Sequence, residues 1–184
     1  MYFNYSFHKA QYSVAQKFFI DHNVNMDKSN SFTKELLEIT KKFSTDVDSL
    51  SFSFGGYVYN PLSYGWDANV SYLEKYVFKG AKTLFLGMNP GPFGMMQTSV
   101  PFGEILATKN YLHLDGNVSK PLKEHPNRPV LGYSCTRSEI SGKRLWGLFE
   151  ERYPKALDFF KDHCVFNYCP LGFLEGGKSA KNIT

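Results

Sequence analysis

Residues 81–104 constrain the fold of this chain more than any other stretch. Residues 83–88 read as a buried strand, with Leu84, Phe85 and Leu86 in an unbroken apolar run. The run stops at Asn89-Pro90-Gly91-Pro92. Proline fixes φ and lacks the N–H that a ladder needs, and glycine permits a tight turn, so the strand cannot continue. Residues 163–171 repeat the pattern, an apolar strand ending on Asn167 and broken by Pro170. A rigid loop at the carboxyl end of a core strand is where open α/β sheets place their ligands. If the two strands are parallel neighbours, Asn89 and Asn167 stand on one rim and face one pocket.

The residues around that rim suit a flat, hydrogen-bonding ring. Asparagine carries a donor and an acceptor at fixed spacing, and Met88, Phe93, Met95 and Phe102 supply apolar and aromatic walls. A nucleobase has this mixture of edge and face. A strand-to-loop transition capped by an ordinary asparagine is the plainer alternative.

Composition bounds the rest. With 184 residues the chain fits one domain with a real core, expected over 31–184. Residues 1–30 mix aromatics with polar residues and show no clean period. They read as a poorly ordered extension, with a short helical turn at 14–20. A net charge of +4 permits a nucleic-acid partner without demanding one. The three cysteines, Cys135, Cys164 and Cys169, show no metal-ligand spacing and read as free, buried thiols of a reducing compartment. No stretch reaches membrane-spanning length, and no signal-type apolar run occurs in 1–25, so a soluble intracellular protein is expected.

Ser31 or Thr33 is expected to cap a helix carrying Leu36, Leu37, Ile39 and Phe43. A second helix is expected over 68–78 with Gly80 as its stop, and a third over 102–112. His113 and His125 lie in or beside a polar loop and read as solvated. Residues 129–133 form a short extended segment. Ser141 reads as an N-cap for a helix whose apolar face is Leu145, Leu148 and Phe149. With Gly142, Lys143 and Arg144 in its first turn, that N-terminus is either a phosphate seat or a capped helix with solvated cations. Residues 172–179 match the phosphate-loop pattern G-x-x-x-x-G-K-S letter for letter. A phosphate loop must feed a helix, only five residues follow Ser179, and Glu175 would put a negative charge in the cradle, so the nucleotide reading fails. A flexible basic loop lying on a nucleic-acid backbone is the better use of Gly177, Lys178, Ser179 and Lys181.

Residues 87–104 closely resemble the first motif of the single-strand-selective monofunctional uracil-DNA glycosylases. Three other stretches are similar to that family: the Tyr-Asn-Pro with a downstream Trp at 57–66, the Glu139-x-Ser141-Gly142-x-Arg144-x-Trp146 run, and the strand ending on Asn167. Aromatics beside a Pro turn equally serve to pack a core edge. The resemblance implies an α/β fold with a central, mainly parallel sheet flanked by helices. It implies hydrolysis of the bond between uracil, or an oxidised uracil, and its sugar in DNA, with no metal or organic cofactor. Asn89 would position the attacking water and Phe102 would stack on the base. Asn167 would read the uracil edge, with Met88, Gly91 and Met95 lining the site. Ser141, Gly142, Arg144 and the 177–181 loop would contact DNA. A nuclear monomer is implied.

In the family the pattern runs on into a helix, a strand and a second motif with a histidine, none of which is assignable here. The expectation is therefore of a chain lacking the last strand and helix and poor at catalysis, or of a non-catalytic DNA- or uracil-binding remnant.

Overall fold

The computed structural model describes residues 26–183. The helical turn expected at 14–20 and most of the expected extension lie outside them. Helix α1, Met26–Asp48, begins ahead of the expected cap at Ser31 or Thr33 and crosses the expected domain boundary. Its buried positions, Leu36, Thr40, Ser44 and Val47, recur at three and four residues and so line one face.

Strand β1, Gly56–Tyr59, leads into the short helix α2, Pro61–Tyr64. Asn60 joins these pieces. Its Oδ1 accepts from the Leu62 N–H at 3.1 Å. Its Nδ2 donates to the Ser44 carbonyl at 3.1 Å and to Asp48 Oδ1 at 2.8 Å. The Tyr-Asn-Pro stretch thus packs and caps, fastening the end of α1 to the core.

Helix α3, Trp66–Tyr76, buries Tyr72, Leu73 and Tyr76. It ends before the expected stop, and Gly80, at φ +91°, turns the chain into β2, Thr83–Gly87. The helix expected over 102–112 is present as the shorter α5, Ile105–Asn110, and a further short helix, α4, Met95–Thr98, precedes it. Residues 129–133 are not extended, because a 3-10 turn occupies Gly132–Ser134. Helices α6, Ile140–Arg152, and α7, Ala156–Phe160, precede β3, His163–Asn167, and β4, Gly172–Glu175.

The expected parallel pair is present. β2 and β3 run side by side in register from Thr83 opposite His163 to Gly87 opposite Asn167. β1 and β4 form a separate antiparallel pair, Gly56 opposite Glu175 through Tyr59 opposite Gly172. The phosphate-loop lookalike therefore begins as a strand. The chain then doubles back, with Asn182 bridging Leu174 and the Ile183 N–H donating to the Phe173 carbonyl at 2.9 Å.

The main core is aromatic. Phe149 stacks on Phe159 with centroids 4.1 Å apart, and Tyr76 stacks on Phe160 at 4.4 Å. Trp146, Tyr72 and Val165 complete the cluster. Offset and edge-on rings of this kind add roughly 0.5–1.5 kcal/mol per pair beyond the area they bury. Among the described residues no helix is long and apolar enough to cross a membrane.

Candidate active site

The site forms where β2 and β3 end together. Pairing continues past the strands, with the Tyr168 N–H on the Gly87 carbonyl at 2.7 Å and the Cys169 N–H on the Met88 carbonyl at 2.8 Å. Asn89 and Asn167 thus leave adjacent parallel strands at the same, carboxyl-terminal end.

Asn167, Phe102, Met95 and Gly87 converge. A Cβ built on Gly87 would collide with Asn167 Oδ1 and stand 2.7 Å from the Phe102 ring. Only glycine leaves room for both. The Asn167 amide nitrogen donates to Met95 Sδ at 3.1 Å. A thioether is a weak acceptor, so this donor is held in place by a partner that a carbonyl oxygen would outcompete. Met88, which follows β2 directly, is 65% exposed. Asn89 is half-buried, and its amide reaches the Ile183 carbonyl at only 3.4 Å, so it is lightly held.

Phe102 is braced through its backbone. It lies in the left-handed region at φ +51°, a conformation that costs a non-glycine residue roughly 1 kcal/mol or more. Its carbonyl accepts from the Trp146 indole N–H at 3.0 Å and from the Glu104 N–H at 2.7 Å. Gly142 packs against the same carbonyl, with no room for a side chain. Gly142 and Trp146 of the Glu-x-Ser-Gly-x-Arg-x-Trp run therefore hold the Phe102 backbone.

This corrects the expected cap and anion site on α6. Glu139, not Ser141, is the N-cap. Its carboxylate accepts from the Ser141 N–H at 3.1 Å and the Gly142 N–H at 2.6 Å. A residue already carrying negative charge fills the position a phosphate would take. Arg144 remains exposed on the first turn.

Sequence reasoning missed three supporting residues. Glu104 is 3% exposed, caps α5 through the Ala107 N–H at 2.8 Å and accepts from Ser138 Oγ at 2.8 Å. Gln97 donates to the Pro92 and Pro129 carbonyls at 2.9 and 3.1 Å and accepts from the Leu131 N–H at 2.8 Å. It fastens the breaker loop to its neighbour, and a Gln directly after two methionines was the available signal.

His125 is the third, and it is buried rather than solvated. Its Nδ1 accepts from the Asn127 N–H at 3.0 Å, which leaves Nε2 as the donor toward the Gly177 carbonyl at 3.3 Å. The 177–181 segment is accordingly a tied turn, not a loose loop. Ala180 is fully buried, Lys178 and Lys181 are exposed, and Ser179 Oγ donates to Glu175 at 3.2 Å.

The Cys169 thiol, two residues past Asn167, is buried. Burial raises the Cys169 thiol above its ordinary range, and the thiol donates to the Leu171 carbonyl at 3.6 Å. Among the described residues none of His113, His125 and His163 hydrogen-bonds to either asparagine.

No family model matches the chain. It is 44% identical over 155 residues to the single-strand selective monofunctional uracil DNA glycosylase of Bos taurus, which covers 84% of this chain and 56% of that protein. The protein of the same name from Rattus norvegicus is 41% identical over 157 residues, 85% of this chain and again 56% of the relative. The crystal structure of wild-type Pedobacter heparinus SMUG2 superposes with a TM-score of 0.51 at 20% identity, over 83% of this chain and 58% of that one, which shows a common fold. The chain spans a little over half the length of the curated relatives it matches, and over that stretch its sequence is similar to the single-strand-selective monofunctional uracil-DNA glycosylases.

Proposed function

We propose that this chain takes uracil, or an oxidised uracil, out of DNA and hydrolyses its bond to the sugar, leaving an abasic site. The observation that carries the reading is the Asn167 amide, fixed beside Phe102 and Gly87 with its donor resting on a thioether. A flipped uracil that slides onto Phe102 offers a ring carbonyl to the amide nitrogen and a ring N–H to the amide oxygen. Cytosine presents the reverse pattern and would leave buried polar groups unpaired, which costs about 1–3 kcal/mol for each.

Met88, Gly91 and Met95 set the room left around the ring. Asn89 stands at the end of the adjacent strand and holds the water whose oxygen bonds to the sugar carbon as the bond to the base breaks. Its light tether leaves its amide and carbonyl available for that water. The protein's contribution is positioning and electrostatics, with neither metal nor organic cofactor. A monomer working in the nucleus belongs to the same proposal.

The test is a single-turnover assay on single-stranded oligonucleotides carrying one uracil or one thymine, read beside their equilibrium binding. Release of uracil but not thymine supports the reading. Uracil-selective binding without release would favour the non-catalytic binding remnant, and equal treatment of the two bases would overturn the pocket.

A further inference from the structure

Phe93 lies between Pro92 and Gly94 in the loop that follows β2, and carries two cations. The Arg137 guanidinium lies 3.9 Å from its ring centroid and that of Arg128 lies 5.4 Å away. Cation–π contact of this kind fixes where a guanidinium stands without neutralising it. Arg128 is held further by neutral carbonyls, donating to Asn127 at 2.8 Å and to Ser179 at 2.9 Å. Asn127 in turn donates to the Lys178 carbonyl at 3.1 Å. The Phe93 loop, the 127–128 corner and the Lys178 turn are thereby one connected surface.

Carboxylates of the neighbouring segments already hold other groups. Glu139 is committed to the amides of α6, and Glu175 to Ser179 Oγ. Glu124 takes the Val130 N–H at 2.7 Å and pairs with Lys120 at 3.3 Å. Among the described residues neither Arg128, Arg137, Lys178 nor Lys181 enters an ion pair. Two guanidiniums held against one ring repel each other, and an anion laid across them relieves that repulsion.

We propose that Phe93, Arg137 and Arg128 form a phosphate clamp that holds the backbone of single-stranded DNA beside the flipped base and passes it on to Lys178 and Lys181. The assignment rests on the reading of the pocket as a base site in DNA. It displaces the phosphate contact from the N-terminus of α6, whose amides Glu139 already caps, to the two guanidiniums on Phe93. The aromatic orients the cations, and the strand is gripped without reading its sequence.

The experiment measures anisotropy of a labelled, uracil-free oligothymidylate over a range of salt. It compares the unaltered chain with Arg137→Gln, Arg128→Gln, the double variant and Phe93→Leu. Lys82→Gln, at the opposite end of β2, serves as a control for lost charge. The double variant is expected to bind several-fold more weakly and to flatten the plot of log affinity against log salt by about 1.4, since each single-strand phosphate contact contributes about 0.7. Phe93→Leu keeps both charges, and partial loss is expected there. Arg137 is exposed, so Arg137→Gln tests the clamp even if Arg128→Gln disturbs the fold. An unchanged slope in Arg137→Gln and in a folded double variant, or an equal loss in Lys82→Gln, overturns the clamp. A parallel titration with uracil- and thymine-bearing strands separates the two readings. Lost slope without base discrimination sinks the pocket and leaves the clamp, and discrimination with an unchanged slope does the reverse.

Discussion

β2 and β3 are paired residue for residue, end on the same kind of breaker and present one asparagine each, yet the molecule holds them very differently. β3 is gripped from both sides. Cys164 and Val165 are buried, the Tyr72 hydroxyl donates to the Val165 carbonyl at 2.7 Å, and the Cys164 thiol donates to the Thr83 carbonyl at 3.6 Å. β2 is more open, with Leu86 53% exposed, and its rim residue Asn89 makes one long contact. A group that reads a base edge must be immobile, because its selectivity lies in donors and acceptors that cannot turn to suit another ring. A group that steadies a water needs access to solvent. The difference between the strands matches the two roles proposed for Asn89 and Asn167.

Gly87→Ala is the harshest way to break the comparison, because it installs a methyl where the strands meet. Asn167 Oδ1 and the Phe102 ring would both have to move. A displacement of about 1 Å at a reacting centre can cost about 10²-fold in rate. Overpacking of this sort also costs about 1–3 kcal/mol of stability. Single-turnover rates and thermal melting should show both losses, and normal turnover would mean that the two side chains do not act together over Gly87.

The two asparagines can then be separated. Asn167→Ala should weaken uracil binding by about 2–4 kcal/mol if two desolvated hydrogen bonds go with it. Asn89→Ala should leave binding nearly intact and slow the chemical step, since a positioned water matters only on the way to the transition state. Binding isotherms beside single-turnover rates decide the matter, and a reversal of the pattern would exchange the roles of the strands.

How much of this was legible beforehand follows from the range of the interactions. The strand-then-breaker pattern is local, so strands near 83–88 and 164–168 and their shared rim could be read directly. Glu104 and Glu139 could not, because a carboxylate near a helix start looks like surface charge until the backbone shows which amides it meets. The same holds for His125, whose backbone N–H donates to the Tyr59 hydroxyl 66 residues away at 2.7 Å. β1 and β4 are four residues each, and their pairing joins segments separated by most of the domain. The phosphate-loop match disguised one of them. A motif of glycines and a lysine carries no meaning until the element that follows it is known.

The grip on β3 also predicts a response to alkali. Burial pushes the Cys164 thiol up to about 11 from an ordinary value of 9.0, and raises Tyr72 well above its own ordinary range. Both groups are therefore neutral in the folded chain at a pH where the unfolded chain would already lose the proton. For the thiol, stability is fully present below about pH 9 and falls as the pH rises toward about 11. The thiol accounts for on the order of 2 kcal/mol of that fall. Urea unfolding at pH 8 and at pH 10.5 should show the fall, and Cys164→Ala should reduce it. An identical pH dependence in the variant would show that the thiol is not shielded.

The mildest change asks whether β3 needs its brace at all. Tyr72→Phe removes one hydroxyl from a fully buried ring and leaves the apolar packing against Phe160 and Tyr76 in place. What it strands is the Val165 carbonyl, which loses a donor in a site with little access to water. An unpaired buried acceptor costs about 1–3 kcal/mol, and a carbonyl that keeps some of its bonding falls toward the lower end of that range. A loss of about 1 kcal/mol is expected, seen as a lower urea midpoint with an unchanged slope. Because Val165 lies two residues before Asn167, the uracil-over-thymine preference should drop slightly, while Asn89-dependent chemistry stays the same. A variant with the same midpoint and the same base preference would show that β3 is fixed by its apolar neighbours alone, and the contrast drawn between the two strands would then rest on burial rather than on the hydrogen bond from α3.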